Sequence, residues 1–505
     1  MALNNKTCKV SFPDHNIKIK AEFGDNLLSL IQMQNIPIAA NCGGVGKCGK
    51  CIVEINGVRK LACKTHITED CEVIVPTQNA SSYEILTDFS KSNIESFETD
   101  LCKDSRFVIA VDIGTTTVVI KMLSTADASE IATNAFVNPQ IKFGADVISR
   151  INNAMDDAEK LSSLIRDKID SSIGSMLTEK NIDSSMVECL IIAGNTAMSY
   201  ILLNLPCRSL GLAPFEPKFI IKSEYEYKEV FLKDTLSCKC NIMPFMSAYV
   251  GGDITSGLIS LSNEDDFLLI DMGTNGELAY KSSNRLICTS TAAGPAFEGV
   301  NISCGMGSTE GAISKIWIEN DAFNYQTIGA APPIGICGSG ILDLVACLVN
   351  EEIVDETGAF NDDSQYLCDE GVVVAQNIDT GEDIVFTQKD VREFQLAKSA
   401  VRSGIEILID QMDGIIPDKV LLAGGFGQNM SVQSAFDVGL LPHTLSGKVG
   451  TAGNTSLAGA IKVALKPELL EDASSLADSC EEINLATHPD FNDMFMDNIG
   501  FEKWI

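Results

Sequence analysis

Positive charge is scarce in this sequence. Its 505 residues include 37 lysines and arginines against 69 aspartates and glutamates, which gives a formal net charge of −32. Proteins bind nucleic-acid backbones and anionic membrane surfaces mainly through lysine and arginine, so this balance argues against both kinds of partner. The sequence also lacks an apolar run of the roughly 18 residues that a membrane span needs. We therefore expect neither nucleic acid nor a membrane as a partner.

Histidine is rare as well, and its four copies show no metal-ligand spacing. The opening residues MALNNKTCKV have no apolar core of the kind found in export signals. Seventeen cysteines in a long chain of this kind indicate a reducing cytosol rather than a disulfide scaffold. The sequence thus predicts a soluble, cytoplasmic protein, and its length suits about three domains.

Four of the cysteines lie between Asn41 and Cys63, in a stretch that is rich in glycine. Their pattern is C-x5-C-x2-C, followed after eleven residues by a fourth cysteine. Glycine lets the backbone curl around a ligand, and N–H groups that point at sulfur tune an iron–sulfur cluster. The Asn56-Gly57 pair between two apolar strands predicts a hairpin that returns the last cysteine to the loop. The predicted metal ligands are Cys42, Cys48, Cys51 and Cys63.

Zinc and phosphate are the alternative ligands for this loop. Zinc ribbons usually carry two Cys-x-x-Cys pairs, whereas only Cys48 and Cys51 have that spacing. A phosphate-binding loop would carry Ser or Thr after the lysine of GVGKC, where cysteine stands instead. The spacing resembles that of [2Fe-2S] ferredoxins, and we take a [2Fe-2S] cluster as the predicted cofactor.

The segments around the cysteines predict a small α+β domain. Residues 7–12 and 17–22 alternate as two strands, a helix covers Leu27 to Gln34, and a last strand ends at Val75. This order resembles the β-grasp fold of [2Fe-2S] ferredoxins. We assign residues 1–78 to this ferredoxin-like domain and the polar stretch 79–105 to a linker.

A second motif occurs twice. Phe107 to Leu123 reads FVIAVDIGTTTVVIKML and Phe267 to Tyr280 reads FLLIDMGTNGELAY, each a strand, a D-x-G-T turn and another strand. Such a repeat indicates a duplicated domain. The turns offer N–H and hydroxyl groups to phosphate, and an aspartate at a strand end can hold Mg²⁺ through water. Asp112 and Asp271 are therefore the predicted catalytic residues.

A third stretch, VLLAGGFGQN from Val420 to Asn429, predicts a buried strand running into a diglycine that lets a nucleotide approach the backbone. Further on, AGNTSLAGAIKVA predicts a helix, and its opening Ala-Gly-Asn-Thr also occurs at Ala193 to Thr196. A helix from Lys389 to Met412 is predicted by its apolar spacing and by Thr387 and Asp390 at its start. The predicted ATP-binding residues are Gly114, Thr115, Thr116, Gly273, Thr274, Asn275, Gly424 and Gly425.

These motifs in this order resemble the superfamily of acetate and sugar kinases, Hsp70 and actin. The resemblance implies a duplicated α/β, RNase H-like ATPase. We assign residues 106–206 to a middle region with the first ATPase half, 207–466 to the C-terminal half and 467–505 to an acidic C-terminal tail.

A ferredoxin-like module joined to such an ATPase resembles the reductive activators of corrinoid enzymes. The segments that fit this family are GADVISRI, AGNTAM, AAGPAFEG and PPIGICGSGILD, which begin at residues 144, 193, 292 and 332. The resemblance implies ATP-dependent reduction of a Co(II) corrinoid to Co(I), with a [2Fe-2S] cluster, ATP and Mg²⁺ as cofactors. It implies two partners, a corrinoid protein of a methyltransferase system and an upstream low-potential electron donor. A homodimer is compatible with the sequence.

Two other functions remain as alternatives at this point. A small-molecule kinase would use the same ATP site, with the cluster as a redox sensor, and would transfer phosphate to a metabolite. An ATP-gated scaffold would hydrolyse ATP slowly. Glu277 and Glu298 follow the phosphate-binding turns and could orient an attacking water, although a structural role is the simpler interpretation. Asp146 and Arg150, four residues apart on a predicted helix, are interpreted as an ion pair.

Overall fold

The N-terminal residues form a five-stranded mixed sheet with one helix. In this computed structural model the described residues are 7–34, 36, 38, 51–75 and 106–501, apart from the single positions 16, 145, 220, 274 and 379. The strands lie in the order β2-β1-β5-β3-β4, with β1 and β5 parallel. The elements are β1 (Thr7–Phe12), β2 (Ile17–Glu22), α1 (Leu27–Met33), β3 (Ile52–Ile55), β4 (Val58–Leu61) and β5 (Cys71–Ile74).

The strands, the helix and the Asn56-Gly57 turn predicted for this region are confirmed. Asn56 and Gly57 both have positive φ, 49° and 83°, as a two-residue hairpin turn requires. Phe12, Ile31 and Val53 are fully buried between the sheet and the helix. The predicted ligands Cys42 and Cys48, and the predicted linker 79–105, lie outside the described residues.

The next part of the chain builds a six-stranded sheet in the order β10-β11-β9-β6-β7-β8. Strands β6, β7 and β8 are antiparallel neighbours, whereas β9 runs parallel to β6 and β11 parallel to β9. The strands are β6 (Phe107–Ile113), β7 (Thr117–Ser124), β8 (Glu130–Val137), β9 (Val187–Gly194), β10 (Glu224–Glu226) and β11 (Lys239–Ile242). The helices are α2 (Val147–Lys180), α3 (Thr196–Leu202), α4 (Arg208–Gly211), α5 (Tyr227–Phe231) and α6 (Gly252–Ser260). Two of these strands lie beyond residue 206, so the sheet extends past the boundary predicted between the halves.

A second sheet repeats the plan in the order β22-β21-β12-β13-β14-β23, again with three antiparallel strands followed by parallel ones. Its strands are β12 (Phe267–Met272), β13 (Gly276–Lys281), β14 (Leu286–Thr291), β21 (Lys419–Ala423), β22 (Val449–Gly453) and β23 (Glu481–Glu482). Smaller sheets contain β15 (Ala312–Glu319), β16 (Ala322–Thr327), β17 (Gly335–Ile336), β18 (Leu367–Cys368), β19 (Gly371–Gln376) and β20 (Asp383–Phe386). The helices are α7 (Gly338–Asn350), α8 (Gln388–Gln411), α9 (Gly424–Asn429), α10 (Val432–Asp437), α11 (Thr455–Leu465), α12 (Leu469–Ser479) and α13 (Phe491–Asp497). The duplication predicted from the repeated motif is therefore confirmed.

Two helices are exchanged between the halves. Helix α11 follows the second sheet in the chain, yet its Leu457 and Ile461 pack with Val108 of the first sheet. Helix α6 follows the first sheet, and its Leu258 packs with Leu269 of the second. The two helices also touch closely, because a Cβ at Gly459 would overlap the carbonyl oxygen of Ser256. The start of α11 therefore lies at the strand ends of the first sheet, and the start of α6 lies at those of the second.

The stretch predicted as an acidic tail packs onto the second half. Strand β23 pairs with β14, and Phe501 is buried. Along α8, Lys398 donates to the carbonyl of Gly500, and Gln395 donates to that of Ile499 at 3.0 Å. Across the described stretches, no helix has both the length and the apolar character to cross a membrane.

Candidate active site

A cavity of about 270 Å³ lies between the two halves of the ATPase region, where β6 and β12 end. Both D-x-G-T turns and the diglycine open into it. The predicted residues that line it are Asp112, Gly114, Thr115, Thr116, Asp271, Gly273, Asn275, Gly424 and Gly425. Thr274 lies outside the described residues. The fold thus brings all the described residues of the predicted nucleotide site to one cavity.

Asp112, at the end of β6, is held from the opposite half. Asn454 Nδ2 donates to its Oδ2 at 2.9 Å, and Ser456 Oγ donates to its Oδ1 at 2.7 Å. Both donors stand at the start of α11, the exchanged helix. Burial raises the pKa of Asp112, and these two hydrogen bonds oppose that shift because they favour the charged form.

Asp271, at the end of β12, has other carboxylates as neighbours. Burial, with the negative charges of Asp253 and Asp112, raises the pKa of Asp271 to about 7. Burial and the nearby Asp112 likewise raise the pKa of Asp253 to about 7, and burial raises that of Glu277 well above its usual value. Without a cation, the carboxylates here resist full ionisation at neutral pH.

Position 424 requires glycine because its backbone lies close to the Asp271 carboxylate. A Cβ there would lie 2.5 Å from Asp271 Oδ1, and the backbone φ of +78° is one that residues with side chains rarely adopt. Beyond the diglycine the wall becomes aromatic, where Phe426 stacks on Phe297 with centroids 4.8 Å apart. One end of the cavity is therefore polar and acidic, and the other offers a flat apolar surface.

The charge of the cavity is one-sided. Every ionisable side chain among the described residues that line it is a carboxylate: Asp112, Asp253, Asp271, Glu277 and Glu298. An anionic ligand can enter such a wall only with cations that offset the repulsion. No three of these or other described His, Cys, Asp and Glu side chains converge on one metal position. The arrangement fits Mg²⁺, which keeps several waters and needs one or two carboxylates besides phosphate oxygens.

Asp253, Asn454 and Ser456 were not singled out from the sequence, although they line the cavity. Each lies where a parallel strand gives way to a helix of small residues, in the stretches GGDITSG and AGNTSLAG. For the second stretch the sequence predicts a helix, and that prediction assigns no role to its polar side chains. The structure shows that Asn454 is also the N-cap of α11, since its Oδ1 accepts from Leu457 N at 2.8 Å.

Glu277 and Glu298, weighed above as residues that could orient water, both line the cavity. Glu298 reaches the opposite half, because Thr116 Oγ1 lies 3.5 Å from its Oε1. Asp146 caps α2 by accepting from Ser149 N at 2.8 Å, and Arg150 is fully buried with backbone partners. No ion pair joins these two side chains in the described part of the chain, so the predicted pairing of Asp146 with Arg150 is wrong.

Two of the four predicted cluster ligands are described. Cys51 and Cys63 are buried in the N-terminal core, and Cys63 N donates to Cys51 Sγ at 3.4 Å. Asn26 Nδ2 donates to Cys63 O at 2.8 Å, which ties the end of the hairpin to α1. The open end of the hairpin thus brings the backbone N–H of Cys63 to the sulfur of Cys51.

Two family models match consecutive parts of this chain. The model described as "RACo middle region" matches residues 107–264, and "C-terminal domain of RACo the ASKHA domain" matches residues 265–503. The models meet at residues 264 and 265, rather than at the predicted division at 206. Together they match both six-stranded sheets and the stretch predicted as a tail.

Individual relatives extend the similarity to nearly the whole chain. The corrinoid activation enzyme RamQ of Eubacterium limosum is 29% identical over 92% of this chain and 94% of its own length. A [Co(II) methylated amine-specific corrinoid protein] reductase of Methanosarcina barkeri is 24% identical over 78% of this chain and 76% of its own. A solved structure titled reductive activator for corrinoid, iron-sulfur protein is 27% identical, covers 98% of both chains and superposes with a TM-score of 0.70. From the ATPase fold, the two family models and these relatives, we conclude that the chain belongs to the family of reductive activators of corrinoid proteins.

Proposed function

We propose that this protein couples ATP hydrolysis to the reduction of a Co(II) corrinoid to Co(I) on a corrinoid protein of a methyltransferase system. The observation that carries the proposal is the cavity formed by one D-x-G-T turn from each half. A ligand there touches both halves, so hydrolysis can change how they sit against each other. The relatives named above act on corrinoid proteins, and we extend that role to this chain.

In this proposal the cavity holds ATP with Mg²⁺. Asp112 and Asp271 would hold the cation, which would offset the negative charge of the phosphates, and the turns after them would bind the phosphates through backbone N–H groups. Gly424 and Gly425 let the nucleoside approach the backbone beside Phe426. The acidic wall supports this reading, because carboxylates with raised pKa values gain most when a divalent cation lies among them.

We further propose that the N-terminal domain is ferredoxin-like and that Cys42, Cys48, Cys51 and Cys63 hold a [2Fe-2S] cluster. Such a cluster supplies a one-electron relay. Support comes from the burial of Cys51 and Cys63 at the open end of the hairpin and from the N–H of Cys63 that points at Cys51 Sγ. A low-potential electron donor in the cytoplasm would reduce the cluster, and the corrinoid protein would receive the electron.

ATP is needed because reduction of cobalt to Co(I) is uphill. A one-electron potential moves by about 59 mV for each 1.4 kcal/mol or so of differential binding. The bonds from Asn454 and Ser456 to Asp112 cross between the halves beside the proposed phosphate position. A nucleotide-driven change of several kcal/mol in partner contacts would correspond to roughly a couple of hundred millivolts.

The deciding experiment is anaerobic. The protein is mixed with a candidate corrinoid protein and a low-potential reductant, and Co(I) absorbance is followed with and without Mg²⁺ and ATP. We expect Co(I) only with ATP, and loss of it in Asp112→Ala. Asp127→Ala serves as the matched control, since Asp127 belongs to the same half but lies at an exposed turn. Full reduction without nucleotide, or transfer of the γ-phosphate to a small molecule, would contradict the proposal.

A further inference from the structure

In the turn after Asp112, three successive carbonyl groups accept hydrogen bonds from residues on the side away from the cavity. Asn138 Nδ2 donates to Gly114 O at 2.8 Å, and Asn138 N donates to Thr116 O at 2.9 Å. Between them, the guanidinium of Arg150 donates through Nη2 to Thr115 O. Neither Arg150 nor Asn138 lines the cavity, so these carbonyls point away from it.

These three hydrogen bonds determine the direction of the N–H groups of the turn. In a trans peptide the C=O of one residue and the N–H of the next point in opposite directions. With the carbonyls of residues 114 to 116 directed backwards, the N–H groups of Thr115, Thr116 and Thr117 face the other way. These three residues line the cavity. The turn therefore has three N–H donors on its cavity side, at the place proposed for phosphate, before any ligand arrives.

Arg150 is built into its position. Its Nε donates to Gly144 O at 2.9 Å, and its Nη1 lies 3.4 Å from Met198 Sδ. Gly144 has a φ of +147°, and a Cβ there would lie 2.7 Å from that of Ser149, so glycine is needed where the chain enters α2. The side chain is completely buried. Its head therefore has little freedom to leave the Thr115 carbonyl.

The charge of Arg150 matters because the cavity wall is acidic. Burial lowers the pKa of Arg150 to about 10, while Glu298 across the cleft opposes that shift. The guanidinium thus stays protonated at neutral pH. It lies one peptide group behind a wall whose ionisable side chains, among the described residues, are all carboxylates. Its field falls on the turn that is proposed to meet the phosphates.

We propose that Arg150 is a positioning residue for the phosphates, which orients the turn's N–H groups through the Thr115 carbonyl and supplies positive charge to an acidic cavity without touching the ligand. This inference rests on the proposed nucleotide function of the cavity. It assigns to Arg150 an effect on the phosphate part of the nucleotide alone.

The test compares a ligand that has phosphates with one that lacks them. Dissociation constants for ATP, with saturating Mg²⁺, and for adenosine are measured by calorimetry for the intact protein, Arg150→Gln and Arg150→Lys. Arg166→Gln is the matched control, because Arg166 lies on the same helix, is also buried, and donates through Nε to Leu202 O at 2.7 Å away from the cavity. Circular dichroism and melting curves check folding in all four proteins.

We expect Arg150→Gln to raise the dissociation constant of ATP by roughly 10- to 100-fold, because a charged hydrogen bond is lost. The dissociation constant of adenosine should stay unchanged. The ATP affinity of Arg150→Lys should lie between those of the intact protein and Arg150→Gln, since lysine keeps the positive charge but lacks the several N–H donors of the guanidinium. Arg166→Gln should affect neither ligand. Equal weakening of ATP and adenosine in Arg150→Gln, or unchanged ATP affinity in a folded variant, would overturn the role of Arg150. Failure of the intact protein to bind ATP would instead refute the proposed function.

Discussion

The raised pKa of Asp271 predicts that nucleotide binding depends on pH near neutrality. Burial and the charges of Asp253 and Asp112 raise this pKa to about 7. A carboxyl with a raised pKa keeps its proton below pH 7 and loses it above. Because a Mg²⁺-bound nucleotide needs the ionised form, binding must release that proton when the pH is low. Affinity should therefore rise with pH.

The size of the effect follows from the titration of this one carboxyl. With a pKa of about 7, the group is about nine-tenths protonated at about pH 6 and about one-tenth protonated at about pH 8. If only the ionised form binds, the dissociation constant for Mg²⁺ and nucleotide is about tenfold higher at the lower pH. Asp253 titrates in the same range and can increase the ratio.

The assay measures the dissociation constant of ATP at saturating Mg²⁺ across this pH range, for the intact protein and for Asp271→Asn. The amide cannot ionise, so the variant should bind weakly at every pH, as the protonated protein does, with a flatter profile. Titration of ATP itself is common to both proteins and cancels in their ratio. Asp265→Asn is the matched control, since Asp265 is exposed just before the same strand.

A ratio of the two dissociation constants that stays constant from about pH 6 to about pH 8 would refute the reasoning. It would mean that Asp271 does not lose its proton when the nucleotide binds. Calorimetry in buffers of different ionisation enthalpy gives an independent check. We expect proton release by the intact protein at the lower pH, and less release by Asp271→Asn.

Three further perturbations test the rest of the site and the fold. Cys51→Ser should lose the iron and acid-labile sulfide of the anaerobically reconstituted protein, and stoichiometric zinc without sulfide in the intact protein would contradict the cluster. Ser456→Ala should remove roughly 1.5–3 kcal/mol of stabilisation from the Asp112 carboxylate, as a hydrogen bond to a charged group does, and steady-state ATP hydrolysis should fall. Ending the chain before residue 490 exposes the site of Phe501, whose burial contributes about 1.5–3 kcal/mol, so the melting temperature should fall.

These variants have controls in the same chain. Ser474→Ala removes a hydroxyl that donates within its own helix, to Leu470 O at 3.0 Å, and should leave hydrolysis unchanged. An unchanged rate in Ser456→Ala would mean that the cross-cleft bond has no part in catalysis. Unaltered melting of the shortened chain would mean that its contacts with α8 add no net stability.

Local elements were predictable because their signals are local. The strands at 7–12 and 17–22 occur where alternation placed them, and the Asn56-Gly57 turn follows from backbone preferences alone. Helix α8 begins at the predicted cap, where Thr387 Oγ1 and Asp390 form reciprocal bonds. The duplication could be predicted because the same strand–turn–strand motif occurs twice in the sequence. Predicted phosphate-turn residues from both halves therefore line one cavity.

The acidic tail shows where composition misleads. After residue 466 the sequence has ten aspartates and glutamates and a single lysine, a charge balance that is typical of a solvated segment. The structure instead docks Phe501 onto α8, where Lys398 lies 5.3 Å from the centre of its ring. A few apolar residues at suitable positions outweigh an acidic average, because each packs into a site that other parts of the chain supply.

Only the tertiary structure decided which polar residues join the site. Asn454 lies 342 residues from Asp112 along the chain, and its local sequence predicts no role for it in the site. It reaches that carboxylate because α11 crosses to the first sheet. Asp253 approaches Asp271 by the reciprocal crossing of α6. The sequence by itself determined the strands, the turns and their repetition, since these depend on neighbouring residues. Packing of distant elements decided the contacts between halves, because the groups that donate to Asp112 come from a distant part of the chain that no local pattern can name.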